Sequence, residues 1–217
     1  MHSHIAYFNP DVITAEESYQ DFFDEIKEFD AGCENKNFSE FIVEDSEEYR
    51  KSGNGVTYIV WNVFVDDNQI ETGREVVAYY TLATTSIPYE DRIRKDEDEI
   101  LEDGEEFDIQ ICGISAIEIK MFAVNEKYQD TFYEFEGEDL PVAAWIMRSI
   151  INYADNLSNS VLGFKAILLH SVPEAEEFYK TNGFHFVEAN MKPLHNLDSE
   201  YKAMYLTLRK VHMNYDE

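Results

Sequence analysis

Two side chains that can carry a proton stand out because their neighbours along the chain are apolar. Glu118 lies inside a strand-like run, residues 114–124, where a carboxylate costs free energy unless it is paired or faces a cleft. His170 ends a second apolar run, residues 164–169, and the carboxyl ends of strands face the ligand crevice in open α/β sheets. A carboxylate can act as a general base, and a histidine can relay a proton through water.

Both residues also have a purely structural interpretation. Side chains alternate along a strand, so Glu118 shares a face with Lys120 and Phe122. An ion pair with Lys120, or across strands at a wet edge, would satisfy its charge. His170 would be equally well satisfied by a hydrogen bond to a loop, and the sequence leaves these interpretations open.

Four segments have the apolar spacing of helices that bury one face. Apolar residues recur three and four positions apart, which is the helical period. Thr14 and Glu17 form a capping box at the first segment, and Gly53 and Gly183 follow the second and fourth, where helices commonly end. The predicted helices are residues 15–29, 39–51, 140–156 and 173–182.

Runs rich in β-branched and aromatic residues, bounded by turn signals, predict the strands. The nearly continuous apolar run 164–169 is typical of a strand that is buried on both faces. The predicted strands are residues 56–65, 75–87, 114–124, 164–169, 184–187 and 203–208, with a further strand near residues 5–8.

The order of these elements predicts the fold class. Strands separated by helices favour an α/β fold with a mixed central β-sheet flanked by helices on both faces. We expect the strands at 114–124 and 164–169 to be adjacent, parallel and divergent, with a cleft between them. Residues 1–217 are predicted to form a single domain. Residues 88–108, rich in Asp and Glu, are expected to be an acidic mobile insertion, and residues 209–217 a polar tail.

The composition limits the setting of the protein. The chain has 217 residues, 44% of them hydrophobic, and no window of the roughly 18 apolar residues that a membrane helix needs. Two cysteines are too few for a disulfide framework, and no His, Cys, Asp and Glu have metal-ligand spacing. Since no signal peptide is recognisable either, we expect a cytoplasmic protein without a metal site.

The acidity of the chain limits its partners. There are 17 Lys plus Arg against 45 Asp plus Glu, which gives a formal charge of −28 at pH 7. Such a field repels nucleic acids and anionic lipids and attracts cationic substrates or a basic partner. We therefore expect no nucleic acid and no membrane as partner, although the acidity alternatively serves solubility alone.

Two segments resemble the GNAT superfamily of acyltransferases. Residues 175–184, Ala-Glu-Glu-Phe-Tyr-Lys-Thr-Asn-Gly-Phe, are similar to that family's late helix, in which an alanine precedes an aromatic-Tyr pair and the helix closes on Gly-Phe. Residues 118–124, Glu-Ile-Lys-Met-Phe-Ala-Val, resemble its central strand, and residues 39–87 look like the first half of such a domain. The resemblance implies transfer of an acyl group from acetyl-CoA, as co-substrate, to an amine.

The resemblance also implies catalytic roles for individual residues. Tyr179 occupies the position of the family's tyrosine, an acid that donates a proton to the departing thiolate, although a core aromatic is the alternative. Glu118 becomes the candidate base for the amine proton, with His170 as a candidate relay.

The co-substrate is expected along the central strand and the segment that follows it. Phe122, Ala123 and Val124 match the residues whose backbone pairs with the pantetheine arm in the family. The family then has a Gln or Arg and a glycine-rich turn that cradles the pyrophosphate at a helix N-terminus, and Gln129 and Gly137 are the matching residues here.

The stretch 128–141 departs from the family pattern. It holds one glycine, no basic residue and several carboxylates, which repel a pyrophosphate. Either the loop points its carboxylates away and leaves Gly137 near the phosphates, or CoA binding is weakened or lost. The chain is therefore interpreted as a divergent GNAT member with a degenerate pyrophosphate loop.

Three functions remain open from the sequence. The leading hypothesis is an acetyl-CoA-dependent N-acyltransferase that acts on a small-molecule or peptidyl amine, with a cationic amine favoured by the acidity. The alternative is an inactive GNAT-fold binding or regulatory module. The third is a toxin that acetylates aminoacyl-tRNA, against which the charge argues unless a basic antitoxin is present. A homodimer is left open.

Overall fold

The chain combines long strands with mostly short helices. The computed structural model describes residues 2–12, 22–95, 107–135, 138–191 and 201–208. In chain order the elements are β1 (His2–Val12), α1 (Phe23–Lys27), α2 (Lys36–Glu40), α3 (Ser46–Lys51), β2 (Val56–Val65), β3 (Glu71–Arg94), β4 (Phe107–Val124), α4 (Glu126–Gln129), β5 (Phe132–Phe135), β6 (Glu138–Pro141), α5 (Val142–Ser160), β7 (Ala166–Ser171), α6 (Glu176–Thr181), β8 (His185–Phe186) and β9 (Lys202–Thr207).

The chain divides into two compact units, to which β3, β4 and α5 all contribute. Unit 1 comprises Met1–Ala83 and Ile119–Ile150, and unit 2 comprises Thr84–Glu118 and Ile151–Glu217. Hydrogen bonding orders the strands β1-β2-β3-β4 in unit 1 and β3-β4-β7-β9-β8 in unit 2, and β5 pairs with β6 separately. The prediction of a single domain stays a prediction.

The sheet is mixed, as predicted. The pairs β1–β2, β2–β3, β7–β9 and β8–β9 are antiparallel. Strands β4 and β7 are neighbours that run parallel, because Lys165 N donates to Ser115 O (2.8 Å) and, further along both strands, His170 lies beside Glu118. The predicted adjacency of these two strands is therefore confirmed.

The core of unit 1 lies where short helices cover one face of β2 and β3. Alternate residues of β2 face this core, as the period of a strand requires, and they are Ile59, Trp61, Val63 and Val65. Tyr79 of β3 is fully buried, and its ring contacts those of Phe29 and Phe41. Its hydroxyl donates to Phe38 O (2.8 Å), so this buried polar group has a hydrogen-bond partner.

The predicted helix 39–51 is widened in its middle. A turn with π-helical hydrogen bonding, Phe41–Asp45, joins α2 to α3, and Ser46 Oγ donates back to Ile42 O (2.8 Å). Helix α3 ends at Lys51, as predicted, and Gly53 follows with a φ of +76°, in the left-handed region that favours glycine.

Unit 2 has its own apolar cluster on one face of β4 and β7. Its buried members are Ile87, Ile114, Ala116, Ala166, Leu168, Met191 and Tyr205. Since side chains alternate along a strand, Glu118 follows Ala116 and His170 follows Leu168 on this same face. The strand period thus directs both candidate proton carriers to one side of the sheet.

The predicted boundaries of the insertion 88–108 are wrong. Strand β3 continues to Arg94 and β4 begins at Phe107, so both ends of the predicted insertion are strand. Charged side chains on an exposed strand face reach water and do not end a strand, and Lys95 pairs with Asp108 where the two strands meet (3.1 Å). Residues 96–106 lie outside the described part of the chain.

Two further predictions fall partly outside the described residues. Helix α1 covers Phe23–Lys27 of the predicted helix 15–29, whose first residues are not described, and neither is the predicted tail 209–217. The stretch 128–141 holds the last two residues of α4 and the hairpin β5–β6.

Candidate active site

A buried acid–base pair lies beside the carboxyl end of β7 in unit 2. Glu118 Oε1 lies 3.3 Å from His170 Nδ1, and the two side chains are 4% and 7% exposed. The structure thus brings together two residues that the sequence indicated separately. Of the structural interpretation of Glu118, the cross-strand ion pair is present, with His170, but the wet edge is wrong, because the carboxylate is buried.

The imidazole of His170 has unused hydrogen-bonding capacity. Among the described residues neither ring nitrogen has a hydrogen-bond partner, because Nδ1 approaches Glu118 at ion-pair distance without the alignment of a hydrogen bond. Buried polar atoms are nearly always hydrogen-bonded, so the two ring nitrogens have room for a further partner such as a water or a substrate group. Such a pair can accept a proton from an ammonium group.

Tyr179 is a half-buried aromatic of α6, also in unit 2. Its ring packs at a steep angle against Phe178 (5.2 Å between centroids) and Phe184 (5.9 Å). Burial raises the pKa of its phenol to about 12, so the group is protonated at neutral pH and has a proton to donate. Helix α6 closes just beyond it at Gly183, where φ is +89°. The packing and proton-donor interpretations are therefore compatible.

The end of β4 in unit 1 presents backbone groups on its side away from β3. Asn125 N donates to Val77 O of β3 (2.8 Å). Because the backbone polar groups of successive strand residues point to opposite sides, those of Val124 point away from β3, and those of Phe122 do so as well. An extended amide chain would need this orientation to pair with the backbone of β4. The side chain of Ala123 packs in the core of unit 1.

Gln129, which was predicted to contact the co-substrate, uses its side-chain amide within the protein. Its Nε2 donates to Val124 O and to Ala31 O, both at 3.0 Å. An amide nitrogen carries two hydrogen atoms, so donation to a phosphate would require one of these bonds to break. A direct contact stays a prediction, and Gly137 lies outside the described residues.

The N-terminus of α5 suits a phosphate through its backbone rather than through side-chain charge. The first N–H groups of a helix have no acceptor within it and carry the positive end of the helix dipole. Thr131 O accepts the N–H of Val142 (2.9 Å), and Ala143 and Ala144 present the next two beside small side chains. Asp139 is exposed just before the helix and opposes an anion. The backbone donors therefore fit the phosphates of acetyl-CoA.

Comparison with known proteins finds relatives by structure. No family model and no curated protein matches the sequence. The structure of AtaTR bound with acetyl-CoA has a TM-score of 0.58 at 15% identity, over 95% of this chain and 94% of that one. AtaT complexed with acetyl-methionyl-tRNAfMet has a TM-score of 0.56 at 15% identity, over 95% of both chains. A tyrosine-to-phenylalanine mutant of KacT has a TM-score of 0.56 at 13% identity, over 96% of both chains.

The chain has a GNAT-like fold. This confirms the predicted fold class over nearly the whole chain, and at such low identity the likeness concerns the fold alone. The expectation that nucleic acid is not a partner, which rested on the net charge, needs correction, because AtaT, which is similar in fold, is seen in complex with a tRNA. The GNAT-like fold by itself therefore does not exclude nucleic acid.

A polar network in unit 1 of the GNAT-like fold was missed by the sequence analysis. Tyr128 Oη donates to Glu75 Oε1, Asn62 Nδ2 donates to Tyr128 Oη (2.8 Å), and Lys127 Nζ pairs with Glu75 Oε2 (3.1 Å). Burial opposes ionisation of Glu75, but these partners outweigh it and lower its pKa. Burial, followed by the Glu75 carboxylate, raises the pKa of Tyr128 to about 12. The residues of this network come from three separate segments of the chain, around positions 62, 75 and 127–128, so no local spacing indicates it.

The described residues offer no grouped metal ligands and no membrane-spanning helix. In the described ranges, no three or more His, Cys, Asp and Glu side chains are grouped so that they could hold a metal ion. No helix within those ranges is long and apolar enough to span a membrane.

Proposed function

We propose that this chain is an acetyl-CoA-dependent N-acyltransferase that acts on a small-molecule or peptidyl amine. The observation that carries the proposal is the buried pair of Glu118 and His170, whose ring nitrogens have no hydrogen-bond partner among the described residues. The GNAT-like fold supports it, because AtaTR, which is similar in fold, binds acetyl-CoA.

The pair of Glu118 and His170 is proposed to remove the proton that makes the acceptor unreactive. Acetyl-CoA supplies an acyl thioester when bound, and only a neutral amine can attack it. The imidazole accepts the ammonium proton, directly or through a water, and the carboxylate 3.3 Å away stabilises the resulting imidazolium. General base catalysis of this kind contributes about 10²–10⁴-fold to a rate.

Tyr179 is proposed to supply the proton that the leaving group needs. As the new N–C bond forms and the C–S bond breaks, the sulfur leaves as a thiolate. A phenol whose pKa is about 12 is protonated throughout the physiological range, so it can donate to that sulfur and regain a proton from solvent. Its packing against Phe178 and Phe184 fixes the direction of the donor.

Unit 1 offers the groups that would hold the co-substrate. The backbone of Phe122 and Val124 would pair with the pantetheine arm, and the N–H groups of Ala143 and Ala144 would bind phosphate oxygens. Backbone donors at a helix N-terminus bind anions without a basic side chain. Carboxylates such as Asp139 weaken this binding, which makes it dependent on salt.

The acidity of the chain favours a positively charged acceptor. A net charge of −28 raises the local concentration of cations around the protein. An amine substrate is a cation before it is deprotonated, so polyamines and lysine-rich or N-terminal peptides are the acceptors that we propose first. The charge is unevenly distributed, since residues 164–217 hold six Lys and Arg against eight Asp and Glu.

Thermal denaturation with acetyl-CoA, followed by a transfer assay, tests the proposal. A ligand that binds only the folded state stabilises it by RT ln(1 + [L]/Kd), about 2.7 kcal/mol at one hundred times Kd. The transfer assay uses spermidine, a lysine-containing peptide and an aminoacyl-tRNA as acceptors, with release of free CoA thiol as the signal. We expect a higher melting temperature and transfer to the first two acceptors.

The other outcomes are equally informative. Transfer to aminoacyl-tRNA alone would replace the proposed acceptor class while keeping the reaction. No change in melting temperature at millimolar acetyl-CoA would contradict the enzyme proposal and favour a GNAT-fold binding module without a co-substrate.

A further inference from the structure

A tight turn in unit 1, residues 30–33, has its backbone fixed by several separate bonds. Gly32 has a φ of +96°, and its N–H is accepted by Asp30 Oδ1 (2.9 Å). Ala31 is buried, and its N–H is accepted by Ser39 Oγ (2.9 Å). Asn35 N donates to Gly32 O (2.9 Å). We call this segment the 30–33 turn, and its bonds define a single conformation.

The segment after β4 holds the 30–33 turn from the other side. Glu126 N donates to Asp30 O (2.7 Å). Gln129 Nε2 donates to Ala31 O and to Val124 O, both at 3.0 Å. One side-chain nitrogen therefore joins the turn to the last residue of β4, although the turn lies almost one hundred residues away in sequence.

We propose that Gln129 is a positioning residue that couples the carboxyl end of β4, where acetyl-CoA would bind, to the 30–33 turn. Binding of acetyl-CoA then makes the turn less mobile. This inference rests on the proposed function, because the donor is the ligand that would occupy the backbone of β4. It assigns Gln129 an indirect role, in place of the direct phosphate contact that the sequence indicated.

The coupling follows from the sharing of the Val124 carbonyl. A carbonyl oxygen has two lone pairs, so Val124 O can accept from Gln129 and from a ligand together. Two donors on one carbonyl do not strengthen each other, so the coupling acts through order: a ligand that orders the end of β4 also orders the Gln129 amide bonded to Val124 O. The second hydrogen of the same amide then transmits this order to Ala31 O.

Cys33 offers a direct readout of the turn. Its thiol is exposed, and the second cysteine, Cys112, can be removed as Cys112→Ser. Because this thiol is already exposed, the rate at which a neutral maleimide modifies Cys33 reports the local mobility and accessibility of the turn. It is recorded with and without saturating acetyl-CoA, while a melting-temperature shift on the same sample reports whether the donor has bound.

Two variants separate coupling from simple structural support. Gln129→Met keeps the length of the side chain but removes both donated hydrogens. Tyr128→Phe, one residue earlier, removes the bonds of the phenol to Glu75 and Asn62 and leaves the amide of Gln129 intact. Both lose buried polar contacts, so a general loss of stability affects both.

We expect acetyl-CoA to slow the modification of Cys33 about threefold or more in the Cys112→Ser protein and in Tyr128→Phe. In Gln129→Met, Cys33 reacts faster without donor, the Kd for acetyl-CoA rises about tenfold, and saturating donor no longer slows the reaction. Equal protection of Cys33 in Gln129→Met overturns the inference, because it means that the donor covers the thiol directly.

The failure of the inference and that of the proposed function give different results. A melting-temperature shift without any protection of Cys33 overturns the coupling alone. The absence of any shift overturns the proposed function, and the coupling with it.

Discussion

Glu118 Oε1 and His170 Nδ1 lie 3.3 Å apart on neighbouring parallel strands, and both side chains are buried. Burial makes the interaction between a carboxylate and an imidazole stronger than it would be in water, and it makes an unpaired charge at either position expensive. In the proposed reaction, the carboxylate would stabilise the imidazolium formed when the imidazole accepts a proton. This contact makes the pair the best candidate for a base among the described residues.

Glu118→Gln should remove catalysis and leave donor binding unchanged. The amide keeps the size of the side chain but has no negative charge to stabilise an imidazolium, so we expect kcat to fall by about 10²–10⁴-fold. The melting-temperature shift with acetyl-CoA should persist. Glu177→Gln, on the exposed side of α6, is the matched control and should retain full activity. Full activity in Glu118→Gln would make the pair structural.

The pair should also behave as a unit in a double-mutant cycle. Once Glu118→Gln or His170→Asn has disabled the base, the second substitution should cost little more, because residues that act together are non-additive. The measurement is kcat for the two single variants and the double variant. Independent, multiplicative losses would mean that the two residues act at separate steps.

Tyr179→Phe should slow turnover and retain donor binding. The change deletes only the hydroxyl, while the ring contacts with Phe178 and Phe184 remain. We expect kcat to fall by about 10²-fold, and the pH–rate profile to keep its shape between pH 6 and 10, since a phenol with a pKa of about 12 does not titrate there. Tyr205→Phe, which removes another phenol of unit 2, is the control. A profile that loses its basic limb in Tyr179→Phe would contradict this role.

Neutralising the carboxylates before α5 should strengthen donor binding. Glu136, Glu138 and Asp139 lie within four residues of the sequence just before α5, and the proposed function predicts that their charges weaken binding of a pyrophosphate. The triple change to Gln, Gln and Asn should lower the Kd for acetyl-CoA, with a larger effect at 20 mM than at 500 mM salt, because exposed charges are screened. Titration by melting temperature at both salt concentrations measures it. An effect that is equal at both would rule out an electrostatic cause.

Glu75 should make the stability of the protein depend on pH. Its pKa is lowered in the folded protein, so its contribution is present above its ordinary value of 4.5 and is lost as the pH falls through the folded value. Glu75→Gln should therefore lower the melting temperature at pH 7 by a few degrees, and the difference from the unaltered protein should shrink below pH 4.5. Glu44→Gln, an exposed glutamate, should show no such trend. A difference that grows on acidification would reverse the assigned sign.

Elements with strong local signals could be predicted from the sequence. Strand β2 has the predicted bounds, and α3 ends before Gly53 as expected, because alternation and a left-handed glycine are properties of neighbouring residues. The end of β3 was missed because the mostly charged residues 90–94 resemble a loop in sequence, and the start of β4 was missed because it follows directly on the acidic run 96–106. The start of the predicted helix 15–29 lies outside the described residues.

The sequence by itself determined which residues of the candidate site can carry a proton: Glu118 in an apolar strand, His170 at the end of another, and Tyr179 in a helix that resembles the GNAT family. Only the tertiary structure decided that Glu118 and His170 meet, and that the amide of Gln129 is used on Val124 and Ala31. These contacts depend on strand order and on segments far apart in the chain. Local periodicity describes which face a residue occupies, but the free energy of packing the whole chain selects its neighbour across that face.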